Sequence, residues 1–165
     1  MSDKSCLICE RIEMIKNGTN PYFVAELETG YVVIGDHQYF KGYSLFLSKQ
    51  HKTELHFLEE NVKNEFLIEM SKVAEAVYKA FNAEKLNYEL LGNGDSHLHW
   101  HLFPRREKDS PVKGPVWWVE RDDMFAEEVK PSAEELEDMK IRLHNELIKV
   151  TPLKNSFKKA GTLHD

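Results

Sequence analysis

Apolar and polar positions change period several times along the chain. Residues 22–28 and 31–36 are rich in β-branched and aromatic side chains and flank Thr29-Gly30, which predicts two strands joined as a hairpin. Residues 43–48 predict a third strand. The period then becomes helical. Val62, Phe66, Met70, Val73, Val77 and Phe81 recur at spacings of 4, 4, 3, 4 and 4, the stripe of an amphipathic helix. Glu59–Lys63 and Glu75–Lys79 stand in the favourable order on its wet side, and Asn82 marks its exit. Two further strands are predicted at about 86–92 and 97–103, joined by the tight Gly92-Asn93-Gly94-Asp95 turn.

Residues 104–131 hold four of the six prolines and no clear period, so this connection is expected to be functional or wrapped over the body. Ser132 and Glu135 form a capping box directly after Pro131, and Leu136, Met139, Leu143, Leu147 and Val150 give a second helical stripe. From Thr151 on the chain is basic and polar, which predicts a loose tail. The expected fold class is α+β: an antiparallel sheet of about five strands, one long amphipathic helix and a C-terminal helix. The early strands stand too close together for the helical crossovers of a parallel sheet.

Composition narrows the function classes. A chain of 165 residues has the length of one domain with a real core, and nine Phe, six Tyr and three Trp argue against disorder. No apolar run reaches the roughly 18–20 residues of a membrane span, and the first residues lack the basic-then-apolar pattern of a signal peptide. Two cysteines cannot build a disulfide framework, so a cytoplasmic, reducing setting is expected. A net charge of −6 disfavours non-specific binding to nucleic acid or to an anionic membrane.

The strongest chemical signal is His97-Leu98-His99-Trp100-His101-Leu102-Phe103-Pro104-Arg105. Side chains at i, i+2 and i+4 of a strand share one face, so three of the eight histidines form a row while Leu98, Trp100 and Leu102 face a core. A row of imidazoles suits metal binding, phosphate contact, or nucleophilic and acid–base catalysis near neutral pH. The preceding Gly92-Asn93-Gly94 turn favours phosphate, because its backbone N–H groups can approach an anion closely. Cys6-Leu7-Ile8-Cys9 is a second signal, open by itself between zinc, a redox pair and two buried thiols.

Residues 97–103 satisfy every position of His-φ-His-φ-His-φ-φ, with φ apolar, and on this motif the chain resembles the histidine triad (HIT) superfamily of nucleotide hydrolases and transferases. Diadenosine polyphosphate hydrolases are the members it resembles in particular. The resemblance runs over residues 6–106, implying a HIT-type catalytic domain at 1–106 and a C-terminal extension at 107–165 packed on the same domain.

It implies that His99 attacks the α-phosphorus of a nucleoside phosphoanhydride or phosphoramidate. The expected product of attack is a covalent nucleotidyl-histidine that water hydrolyses, with a dinucleoside polyphosphate the leading substrate. Free imidazole, with a reference pKa of about 6.5, is substantially neutral at pH 7 and a good nucleophile. His101 would contact the phosphate or protonate the leaving group, and Asn93 would orient either. Asn87, Gly94 and Asp36 are the expected nucleotide-binding residues. The chemistry requires no catalytic metal.

The same resemblance joins Cys6 and Cys9 to His51 and His97 as ligands of a structural Zn2+, and it implies a homodimer. One departure stands out: many members have Gly-His where this chain has Gly42-Tyr43, so a phenol replaces an imidazole beside the triad. His37 and the Trp117-Trp118 pair are weaker candidates for the pocket, Arg105-Arg106 for distal phosphates, and His56, His144 and His164 are expected on the surface. Two rival readings remain: a nucleotide-binding module of the same fold with little or no turnover, and a metal-binding protein whose histidines are only ligands.

Overall fold

The structure is a computed structural model, and it describes residues 5–160. In chain order it runs α1 (Leu7–Lys16), β1 (Phe23–Glu26), β2 (Gly30–Ile34), β3 (Ser44–Ser48), α2 (Glu60–Ala80), β4 (Lys85–Glu89), β5 (His99–Arg105), α3 (Arg121–Met124), α4 (Ala133–Val150) and β6 (Asn155–Ser156). The strands form one antiparallel sheet in the order β4-β5-β3-β2-β1-β6. This is the expected α+β architecture with one strand more than the pattern suggested.

The extra strand comes from the tail. Residues 151–160 are not loose: Asn155 and Ser156 pair with Glu26 and Ala25, and Phe157 N donates to Val24 O at 3.0 Å. An edge strand leaves backbone donors and acceptors unpaired, and the tail satisfies part of that row despite its polar composition. His164 lies outside the described residues.

One face of the sheet carries the main core. Phe66, Val73 and Val77 of α2 are wholly buried against Val32, Phe46 and Leu102, and Leu143 and Leu147 of α4 join them. Each such side chain contributes roughly 1.5–3 kcal/mol on burial. Ser132 Oγ accepts from Glu135 N at 3.1 Å, so the capping box starts α4 where the sequence places it. Asn82, with φ of 50°, takes the left-handed position after α2. Glu69, buried on α2, accepts from Glu28 N and Thr29 N at 3.0 and 2.8 Å and so fastens the β1–β2 turn to the helix.

Among the described residues, the opposite face is covered at two places. Ile8, Ile12 and Ile15 of α1 pack on Phe23, Tyr31, Val33 and Leu47. Val116 and Met124, from the connection after β5, pack on Phe40 and Phe103. His99 and His101 lie on this face between the two covers, because they pair with Leu47 and Leu45 in β3.

Candidate active site

Local strand geometry produces the histidine row, and each ring then acquires a different neighbour. His97 precedes the regular part of β5. Leu98 N donates to Lys52 O at 2.8 Å and Ser48 N to Leu98 O at 3.0 Å, which ties this corner to the loop after β3. That loop carries His51 to the same corner. Cys6 caps the N-terminus of α1, its Sγ accepting from Cys9 N at 3.3 Å, so both thiols sit at the end of the helix that favours negative charge. No disulfide joins them.

Cys6, Cys9, His51 and His97 thereby present four donor atoms within 4.8 Å of one another. His97 Nδ1 lies 3.7 and 3.5 Å from the Sγ atoms of Cys6 and Cys9 and 3.2 Å from His51 Nδ1; Cys9 Sγ lies 3.3 Å from His51 Nδ1. Tetrahedral coordination at ordinary zinc bond lengths requires edges of about 3.3 Å between nitrogens and about 3.6 Å between nitrogen and sulfur. These four separations match such an ion, and the remaining two lie within 4.8 Å. The far nitrogen supports this. Nε2 of His97 lies 2.6 Å from Ser48 O, which can only accept, so the proton is on Nε2 and the Nδ1 lone pair faces the thiols. Burial also holds the His97 ring below the usual imidazole range, in the neutral form a metal requires.

His99 is reversed. Its Nδ1 lies 2.6 Å from the carbonyl oxygen of His97, an acceptor, so Nδ1 carries the proton and Nε2 the free lone pair. His101 Nδ1 lies 2.6 Å from Tyr43 Oη. Burial, with Asp36 and Glu89 nearby, raises the Tyr43 phenol far above its ordinary value, so it stays protonated and can donate to Nδ1. In the tautomer that accepts this bond, the N–H of His101 sits on Nε2. Burial, helped by His99, pushes His101 down to about 4, so it is neutral near pH 7.

Tyr43 is itself held in place. Gln38 donates to the carbonyls of Gly35 and Tyr43 at 2.8 and 2.9 Å and accepts from Gly42 N at 2.8 Å. A Cβ on Gly35 would lie 2.3 Å from the Tyr43 ring, so the phenol fits only against glycine. Tyr43 also stacks on Phe103 at 4.1 Å.

His99 and His101 open into a cavity of about 280 Å³. Val33, Leu45 and Leu47 form its floor, and Leu7, Ile8, Arg11 and Tyr22 one side. Asp36 lines it too, ion-paired with Arg11 at 2.9 Å. His37 reaches the rim, edge-on to Phe125 at 5.3 Å. Trp117 stands opposite, edge-on to His101 at 6.3 Å.

The other expected ligands are placed differently. Asn93 and Gly94 are exposed on the turn before the triad and are not among the residues lining the cavity, to which that turn contributes Asp95. Asn87 is on β4 opposite Phe103, and its Oδ1 accepts from Arg105 at 2.9 Å beside a separate cleft. Arg105 also clasps Asp109 through two nitrogens at 2.8 and 3.0 Å, so it is committed to folding its own loop.

The sequence reading missed α1, although Ile8, Ile12 and Ile15 carry a helical period of 4 and 3. It therefore missed Arg11 as the partner of Asp36. Glu89, set opposite His101 by the β4–β5 register, had no local signal at all.

A row of three alternating histidines, at the start of the strand next to the β4 edge and beside a metal-type cluster, defines a histidine-triad protein. Residues 22–108, more than half of the chain, match the HIT domain, and the chain belongs to that family. It is 26% identical over 129 residues to adenosine 5'-monophosphoramidase HNT1 of Saccharomyces cerevisiae, covering 74% of this chain and 75% of that protein. Its fold is similar to that of a histidine triad protein from Bradyrhizobium japonicum (TM-score 0.67, 23% identity, 76% of this chain and 89% of that one). It is also similar to a Zn-bound histidine triad family protein from Mycobacterium smegmatis (TM-score 0.61, 19% identity, 88% and 94%). Among the described residues no helix is long and apolar enough to cross a membrane.

Proposed function

We propose that this protein hydrolyses, or transfers the nucleotidyl group of, nucleoside phosphoramidates and phosphoanhydrides through a covalent intermediate on His99. The observation that carries this reading is the different partner of each neighbouring ring: His99 Nδ1 faces a carbonyl, which leaves its Nε2 bare, while His101 Nδ1 faces the Tyr43 hydroxyl, whose donation would leave an Nε2–H. Nε2 of His99 bonds to the α-phosphorus as the bond from phosphorus to the leaving nitrogen or oxygen breaks. The leaving group takes the bonding pair, and an amine takes up a proton from water. The positive charge on His99 rests against the His97 carbonyl. His101, neutral at working pH, donates its N–H to a phosphoryl oxygen and so supports the charge that develops there. Water then attacks phosphorus, the P–N bond to His99 opens, and the nucleoside monophosphate leaves.

In the same reading Cys6, Cys9, His51 and His97 hold a structural Zn2+ that fastens α1 to the strand presenting His99. Asp36 contacts the ribose, while Asn93 and Gly94 approach the phosphate when substrate is bound. Residues 1–106 are the catalytic unit and 107–165 its extension, and the protein works in the cytoplasm as a homodimer. The yeast relative makes adenosine 5'-phosphoramidate the first substrate to try. Brief reaction, quenching and intact mass measurement should find one nucleotidyl group on the wild type and none on His99→Gly, whose turnover falls by about 10³-fold or more. Monophosphate binding with no adduct and no turnover would replace this reading with the binding module.

A further inference from the structure

The extension after β5 forms a wall of the catalytic cavity. Val116, wholly buried, anchors a tight turn at Val116–Trp118, and Met124 anchors α3 on the same cluster with Phe40 and Phe103. Between these anchors Trp117 is held at three points. Its ring stands nearly perpendicular to His101 and to Phe103 at 6.3 and 6.0 Å, and its Nε1–H donates to Glu89 Oε2 at 2.7 Å. Glu89 sits opposite His101 in the sheet.

The Glu89–Trp117 bond lies between two spaces. On one side is the histidine cavity of about 280 Å³, lined by Trp117. On the other is a cleft of about 900 Å³, lined by Glu89, Pro115 and charged side chains of both signs, among them Lys85, Lys113, Glu84 and Glu107. Ligand pockets usually measure roughly 300–1,000 Å³. The catalytic side alone falls just below that range, with space for one nucleotide, and the second body of a dinucleotide would have to pass the indole.

We propose that the Glu89–Trp117 pair is a partition that determines the leaving group: it confines the reaction to nucleotides carrying a small leaving group, such as an amine, and excludes dinucleoside polyphosphates. The proposal rests on the nucleotidyl-transfer reading above, because it is His101 that places the leaving side next to Trp117. A wall discriminates by steric exclusion, so its removal changes selectivity between substrates more than it changes any one rate.

The test is the ratio of kcat/KM for adenosine 5'-phosphoramidate to that for diadenosine tetraphosphate, in wild type, Trp117→Ala, Glu89→Gln and Trp118→Ala. The wild type should favour the phosphoramidate. Trp117→Ala should shift the ratio toward the dinucleotide by about tenfold or more. Glu89→Gln, which keeps the shape and a weaker bond, should shift it in the same direction by less. Trp118→Ala, altering a ring that is 61% exposed and does not line the cavity, should leave it unchanged. Equal use of both substrates by the wild type, or ratios within about twofold in both Trp117→Ala and Glu89→Gln, would overturn the partition while leaving His99 chemistry standing. Absence of any adduct from either substrate on the wild type would overturn the nucleotidyl-transfer reading, and the partition with it.

Discussion

His97 and His101 are four residues apart on one strand face, yet they are chemically opposite ends of the site. At His97 the Nε2–H is spent on the Ser48 carbonyl, and Nδ1 turns to two thiols and a second imidazole. At His101 the Tyr43 phenol occupies Nδ1, and the Nε2–H is left for the cavity. His99, between them, borrows the backbone carbonyl of His97. The same side chain at the same spacing becomes a metal-type ligand, a nucleophile or a hydrogen-bond donor according to what holds its second nitrogen. The two ends are also linked, since the residue that joins the thiol cluster supplies the carbonyl that sets the nucleophile's tautomer.

The largest effect should come from breaking the thiol end. Cys9→Ala should lower bound zinc from one ion per chain toward none, as read by elemental analysis. It should also cost roughly several kcal/mol of stability in denaturant titrations, because metal affinity becomes folding free energy. Unchanged stability together with retained metal would separate the cysteines from the His97 corner.

A smaller effect belongs to the buried end. The folded-state pKa of His101 is depressed to about 4 from an ordinary 6.5, so the unfolded chain binds more protons between those values. Its stabilising contribution is complete above about pH 6.5 and is lost as pH falls toward 4, up to about 3 kcal/mol in total. Chemical denaturation across that window should show a shallower slope in His101→Phe than in the wild type.

The smallest and most discriminating change is Tyr43→Phe. It removes one hydrogen bond and keeps the ring stacked on Phe103, so kcat should fall about tenfold while zinc content and melting temperature hold. A loss of zinc in that variant would show that the two ends are not separable.

Much of this architecture is legible in local patterns. The alternation at 97–103, the stripe from Val62 to Phe81 and the Ser132 capping box each specify an element from neighbours within a few residues, and all three stand in the structure. Amino acids that dictate their own backbone period need no distant partner to be read. The Cys6/Cys9/His51/His97 set was reached through family resemblance, and its geometry could not be read locally, because its members are up to 91 residues apart.

What eluded sequence reading is what folding alone brings together. The tail is polar in isolation and becomes β6 because β1 leaves an edge to pair with. The Arg11–Asp36 pair forms because α1 crosses the sheet, and Glu89 meets Trp117 because the β4–β5 register and the Val116 anchor bring them within 2.7 Å. So the sequence by itself determined the row of three imidazoles, the helices that back it and the kind of chemistry available. Only the tertiary structure decided which nitrogen of each ring is free and what wall stands beside it, since those depend on carbonyls, a phenol and an indole delivered from elsewhere in the chain.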